Sequence, residues 1–154
     1  MTHYFLDSSA LIKRYIRETG TEWVRSLSVP GAGNAILIAQ ISQVEVISGT
    51  FRRHREGFIA ARTAQAVRLL LDRHASREYH VVRLTEEIVR RAEDALTAYP
   101  LRAYDAVRLA SALVSNAHLI ANGLAPLIFV SADTRLLAVA GSAGLPADDP
   151  NTHP

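Results

Sequence analysis

The sequence predicts an α/β domain built on a mainly parallel central sheet with helices covering both faces. Short, largely apolar runs at residues 4–6, 35–39, 79–84 and 127–130 alternate with longer stretches of helical periodicity. Runs with so little polar alternation read as strands buried on both sides, which is how strands of a helix-covered parallel sheet look. At 154 residues and 49% hydrophobic content the chain has enough material for one domain with a substantial core. No linker, internal repeat or low-complexity tract divides it. Residues 1–150 are expected to form that domain, and residues 151–154 a frayed tail.

Each element has a local reason. Tyr4-Phe5-Leu6 is too short for a helix and rich in aromatics, so it reads as a strand. Asp7 stands where that strand stops, and Ser8 or Ser9 can cap the helix that follows. Glu18-Thr19-Gly20 breaks the chain, and Thr21–Leu27 makes a second short helix carrying Trp23, Val24 and Leu27. A loop over residues 30–34 leads to the second strand, 35–39. Residues 41–50 turn helical, with Val44, Ile47 and Ser48 on one face and Glu45 in the first turns. Phe51-Arg52-Arg53-His54-Arg55 is the densest basic cluster in the chain.

Residues 58–74 are helical, with Ile59, Ala66, Val67, Leu70 and Leu71 sharing a face. The third strand, 79–84, precedes Thr85, a good N-cap. Glu86 and Glu87 suit the positive end of the next helix, which is striped by Ile88, Ala92, Leu96 and Tyr99. Pro100 ends it. From Tyr104-Asp105 a helix apolar nearly all round, through Ala106, Leu109, Ala110, Leu113 and Ala117, reads as the most buried. The fourth strand, 127–130, passes through Ser131-Ala132-Asp133 into an amphipathic helix containing Leu136, Leu137 and Ala140. Gly141 and Gly144 stop that helix. A short edge strand near residues 145–147 follows, and the chain is expected to fray from Asp148 onward.

Composition narrows the chemistry. There is no cysteine, so disulfides, zinc–thiolate sites and thiol nucleophiles are excluded, and a cytoplasmic protein is expected. Thr2 and His3 open the chain without a basic segment before an apolar core, so no export signal is expected. The longest charge-free stretch, residues 109–132, is long enough on paper to cross a bilayer. Ser115, Asn116, His118, Asn122, Gly123 and Pro126 divide it into helix, loop and strand, so no membrane association is expected. Formal net charge is +2, and Lys13 is the sole lysine among seventeen Lys and Arg. Setting aside four acids that share one site leaves eleven acids against seventeen bases, a balance of +6. A mildly basic body around an acidic pocket suits a polyanion held beside a metal.

Those four acids are Asp7, Glu45, Asp105 and Asp133. Asp7 ends the first strand, and Glu45 lies in the helix after the second. Asp105 opens the most buried helix, where an uncompensated carboxylate is costly. Asp133 lies three residues past the fourth strand. In an open parallel sheet, ligands gather outside the carboxyl ends of the strands. One such acid alone reads as a helix cap; four at the same end of their elements can converge on one crevice. Oxygen-only donors suit hard cations such as Mg²⁺ or Mn²⁺, and scattered histidines disfavour zinc. Without a cation the carboxylates repel, at a net cost of roughly a few kcal/mol.

Four stretches carry a resemblance. They are Phe5-Leu6-Asp7-Ser8-Ser9-Ala10-Leu11-Ile12-Lys13, Ser42-Gln43-Val44-Glu45-Val46, Leu101-Arg102-Ala103-Tyr104-Asp105-Ala106-Val107-Arg108-Leu109-Ala110-Ser111-Ala112 and Phe129-Val130-Ser131-Ala132-Asp133-Thr134-Arg135-Leu136-Leu137. In this order and spacing the chain resembles PIN-domain ribonucleases of the VapC toxin type, over residues 2–150. The resemblance implies a three-layer α/β/α sandwich. It implies Asp7, Glu45, Asp105 and Asp133 as catalytic, metal-binding acids for Mg²⁺ or Mn²⁺, with Ser9 and Ser131 orienting them. It further implies an RNA substrate, hydrolysis by metal-activated water, a homodimer, and a small VapB-like antitoxin as partner.

Relatives often carry His three residues after the third acid, where this chain has Arg108. Spaced i, i+3 from Asp105, Arg108 either meets phosphate or tethers Asp105. By charge, Lys13, Arg52, Arg53, Arg55 and Arg108 are the candidate RNA contacts, although the basic cluster reads equally well as a solvated helix end. Two other readings compete: a catalytically silent PIN interaction module, and a receiver-like regulatory domain. Receivers pair acids after the first strand and place a lysine after the last, and Lys13 cannot serve there.

Overall fold

In the computed structural model, which describes residues 1–154, five strands run parallel. They are β1 (Thr2–Leu6), β2 (Asn34–Ala39), β3 (Tyr79–Val82), β4 (Ile128–Val130) and β5 (Ala147–Asp148), in the order β3-β2-β1-β4-β5. The chain builds outward from β1 to one edge, then crosses to the other side, so the strand order reverses between β1 and β4. Leu6 lies opposite Ile38 on one side and Val130 on the other. Seven helices connect the strands: α1 (Ser8–Leu11), α2 (Thr21–Leu27), α3 (Gln40–Arg55), α4 (Ala61–Arg77), α5 (Glu86–Ala98), α6 (Ala103–Ala121) and α7 (Thr134–Ser142).

The two-residue period of the strands sorts their side chains into two cores. Phe5, Leu37 and Phe129 pack with Leu109 and Ala112 of α6 and Leu136 and Ala140 of α7. Leu6, Ile36, Ile38 and Val130 pack with Leu11 of α1, Val24 of α2, Val46 of α3 and Leu71 of α4. The result is the expected three-layer α/β/α sandwich. Register sets Phe5 beside Phe129, and their rings stack at 5.8 Å between centroids. Each fully buried side chain of this size contributes about 1.5–3 kcal/mol. No helix is long and apolar enough to cross a membrane.

Several elements depart from the sequence reading. α4 begins at Ala61, three residues late, because Gly57 at φ +82 turns the chain after α3 and leaves Phe58 and Ile59 in the turn. Its buried stripe is Ala64, Val67 and Leu71, whereas Ala66 and Leu70 face solvent. In α5, Ala95 rather than Leu96 enters the core. α6 is buried over its first half only. Its 19 residues span about 28 Å, longer than the strands beneath it, so Ala117 is left exposed. Gly141 lies inside α7, and the turn is made at Gly144, φ +91.

The C-terminus does not fray. Asp148 pairs with Val130 in β5, and Pro150 is buried at the start of a 3₁₀ turn, Pro150–Thr152. The His153 ring stacks on Trp23 at 4.0 Å between centroids, and its Nε2 lies 2.9 Å from Asp148 Oδ1. The partner that holds the tail is thus 130 residues away in the chain, beyond the reach of local pattern. Gly20, the N-cap of α2, has φ +84, and a Cβ there would stand 2.1 Å from the Pro150 carbonyl oxygen.

Gly20→Ala is expected to cost about 1–3 kcal/mol in urea unfolding, through left-handed strain and collision with the tail. Deleting residues 150–154 removes the collision alone. The substitution should therefore cost less in the shortened chain, and equal costs in both would mean the tail does not bear on Gly20.

Candidate active site

The crevice lies where the strand order reverses. With Leu6 opposite Val130, the next residues, Asp7 and Ser131, come side by side at the carboxyl ends of β1 and β4. The Asp7 amide donates to the Val130 carbonyl at 3.0 Å. Its carboxylate is 1% exposed. Oδ1 accepts from Ser9 Oγ at 2.7 Å and from the Ala10 amide at 2.9 Å, while Oδ2 accepts from Ser131 Oγ at 2.7 Å. Asp7 itself therefore caps α1, and neither serine does, because the acid reaches the Ala10 amide first.

Each serine also accepts one bond. Ser9 Oγ takes the Ala132 amide at 2.8 Å, and Ser131 Oγ takes the Asp133 amide at 3.1 Å. Both hydroxyl protons are spent on Asp7, so the 3.3 Å approach of the two Oγ atoms is a contact only. Ser9 and Ser131 thus each donate to one oxygen of Asp7. Burial pushes the Asp7 carboxyl above the usual carboxylate range, against the pull of Arg108, the two hydroxyls and the Ala10 amide.

Arg108 sits in the middle of the acids. It is 8% exposed, and its Nη1 donates to Glu45 Oε1 at 2.7 Å and Oε2 at 2.8 Å and to Ser8 Oγ. Nη2 donates to Asp105 Oδ1, one turn earlier on α6. Nε is buried without a partner. Burial works to lower the Arg108 pKa, yet Asp7, Glu45 and Asp105 together hold it above its ordinary value, so it remains a cation. Burial likewise raises Glu45 against the opposing pull of Arg108. The expectation of four mutually repelling carboxylates is corrected: a guanidinium lies among three of them. In this arrangement the two terminal nitrogens of Arg108 are committed to Glu45, Asp105 and Ser8 rather than turned toward the cleft.

Asp133 is exposed and caps α7, its Oδ1 accepting from the Arg135 amide at 2.9 Å and the Leu136 amide at 3.2 Å. It lines one cleft with Glu45, Asp105 and Arg108, of about 590 Å³. No three acidic or histidine side chains stand at metal-holding spacing, since Glu45 and Asp105 are drawn to Arg108 rather than to each other. The donor chemistry is nonetheless all carboxylate oxygen, which suits Mg²⁺ or Mn²⁺. The Glu45 and Asp105 oxygens already meet one cation, the Arg108 guanidinium, so the residues fit a hard metal ion in donor chemistry while Arg108 sets their spacing.

The other candidate RNA contacts divide. Lys13 is buried and pairs with Glu18 at 3.1 Å. Arg53 donates to the same glutamate at 2.6 Å and to the Gly49 carbonyl. Both are spent inside the protein. Arg52 and Arg55 are exposed in the last turn of α3, and Arg52 lies about 10 Å along the axis from Glu45. Sequence reasoning missed Arg102, Tyr104 and Arg135, all exposed and all lining the acidic cleft. The signal was present, as each lies within three residues of Asp105 or Asp133.

A family model described as PIN domain matches residues 4–142. The chain belongs to the PIN-domain family. No match is found among curated protein sequences. Among solved structures, this PIN chain is similar to a toxin–antitoxin complex from Klebsiella pneumoniae, with TM-score 0.62, 20% identity, and 96% of this chain and 97% of that one covered. It is similar to VapBC2 from Rickettsia felis bound to a promoter DNA fragment, with TM-score 0.65, 12% identity and coverage of 96% and 98%. It is also similar to the sarcin–ricin-loop-cleaving toxin VapC20 of Mycobacterium tuberculosis, with TM-score 0.58, 16% identity and coverage of 92% and 95%. At these identities the likeness is one of fold.

The raised acids make a pH prediction. Asp7 and Glu45 take up protons in the folded state at a higher pH than in the unfolded chain. Between their folded and ordinary values the native state holds more protons, so stability falls as pH rises through that window. Metal-free protein should therefore gain less from Asp7→Asn at pH 4.5 than at pH 7. A parent-minus-variant difference in urea unfolding that does not change with pH would contradict this.

Proposed function

We propose that this PIN domain is a metal-dependent endoribonuclease, the toxin of a toxin–antitoxin pair. The observation that carries the reading is the convergence of Glu45 and Asp105 on one buried cation, Arg108, beside the buried Asp7, with Asp133 lining the same cleft. Asp7, Glu45, Asp105 and Asp133 would hold Mg²⁺ or Mn²⁺. When bound, such an ion neutralises charge on the phosphoryl group and acidifies a coordinated water.

The chain's own residues supply the rest. Ser9 and Ser131 hold both oxygens of Asp7 at a fixed angle, so little reorganisation is needed when charge changes in the site. Arg102 and Arg135, on the wall of the cleft, are suited to grip phosphates flanking the cut bond, since guanidinium forks bind phosphate in a bidentate manner. No side-chain nucleophile is required, in keeping with a chain that has no cysteine.

The partner in this reading is a small VapB-like antitoxin, supported by solved neighbours that are themselves toxin–antitoxin complexes. Val44, Phe58, Leu69 and Leu70, exposed on α3, on α4 and in the turn between them, are apolar surface of the kind a protein partner or a second protomer covers. A catalytically silent PIN module is the second reading. Arg108 lying across Glu45 and Asp105 is the observation that favours it.

Cleavage separates the two. Protein freed of any partner should cut RNA in Mg²⁺ or Mn²⁺ and stop in excess EDTA, and Asp7→Asn should lower the rate by about 100-fold or more. Undiminished cutting in EDTA would sink the metal mechanism, and no cutting under any metal would sink the enzyme reading. A second measurement concerns grip. Arg102→Gln with Arg135→Gln should weaken RNA binding alike across sequences and reduce the salt slope by about 1.4 for single strands. Replacing Arg52 and Arg55 should leave the slope unchanged.

A further inference from the structure

Arg108 is held by Glu45, Asp105 and the Ser8 hydroxyl. Nη1 has two protons and three acceptors, the two Glu45 oxygens and Ser8 Oγ, and Nη2 serves Asp105. Nε, at the near end of the guanidinium, is buried with no acceptor. An orphaned buried donor is costly, and a side chain seated by its surroundings would have it satisfied. The seat is therefore chosen by the carboxylates, at the expense of Nε.

Acids outnumber the cation at that seat. Glu45 and Asp105 both meet one guanidinium, and Asp7 is buried beside them. A divalent ion in place of a monovalent group would balance them better, and it would want the same oxygens. Glu45 and Asp105 cannot give the same lone pairs to a hard cation and to Arg108 at hydrogen-bond distance. The side chain also has somewhere to go, since Arg108 borders the cleft shared with Asp133, Arg102 and Arg135.

We propose that Arg108 is a tethered cation occupying the metal seat, so that a divalent ion binds by exchange with it. This rests on the reading that these acids bind Mg²⁺ or Mn²⁺. Arg108 is then a positioning residue in two ways. It keeps Glu45 and Asp105 gathered when no ion is bound, and it sets a threshold of metal concentration below which the site stays closed. Displaced into the cleft, its fork joins the arginines that face a phosphate backbone.

The test is metal binding without RNA, measured by Mn²⁺ titration calorimetry. Arg108→Gln should bind Mn²⁺ roughly tenfold tighter than the parent or better, because a nearby unit charge shifts a carboxylate's cation affinity by about one to three orders of magnitude. Arg108→Lys, which keeps the charge, should stay near the parent. Equal or weaker binding by Arg108→Gln overturns the exchange while leaving the metal reading intact. No Mn²⁺ binding by parent or variants overturns both. Should Arg108→Gln fail to fold, the unmutated protein still decides the matter. Its Arg108 side-chain ¹⁵N signal should shift saturably with Mg²⁺, and a signal that does not move would overturn the exchange.

Discussion

A carboxylate buried at the end of the central strand is the constraint on which the other features depend. Asp7 is sealed from water, so each of its oxygens must find donors inside the protein. Those donors come from both sides of the strand junction: Ser9 and the Ala10 amide from α1, and Ser131 from the end of β4. They meet Asp7 only because Leu6 stands opposite Val130. A one-residue slip of either strand would turn Asp7 or Ser131 to the other face. The same two serines receive the Ala132 and Asp133 amides, so the loop carrying Asp133 is set by the residues that hold Asp7.

The second level of order is a charge balance. Arg108 ties α6 to α3 through Glu45 and to α1 through Ser8, a fork that lysine could not reproduce from the same position. Acids still outnumber the cation in the cluster. Outside it, Arg102 and Arg135 flank the cleft with the opposite sign. An acidic floor with basic walls draws a cation inward and a polyanion across the mouth, and each favours the other.

Membership of the PIN family and the distant structural neighbours account for the frame, but the frame alone does not specify an activity. What is particular to this chain is the guanidinium among the acids. It reconciles a site built to hold positive charge with a folded state that is stable before any ion arrives, and for that reason the silent and active readings diverge on metal binding rather than on architecture.

The sequence by itself determined the α/β class, four of the five strands, the cap at Thr85, the helix end before Pro100, and the positions of Asp7 and Asp133 just past β1 and β4 and of Glu45 and Asp105 early in α3 and α6. These are local properties. Apolar runs, turn residues and the position of an acid relative to a strand end are set within a few residues of chain. The i, i+3 pairing of Asp105 with Arg108 was visible for the same reason. Tertiary structure alone decided the rest. The docked tail depends on Trp23 and Gly20 meeting His153 and Pro150. The burial of Lys13 depends on Glu18, and the place of Arg108 depends on a carboxylate 63 positions away. Whether a charged side chain faces solvent or another charge is a question of which distant residue arrives beside it. No periodicity records that, because the cost of burying a charge is met by a partner from elsewhere in the fold.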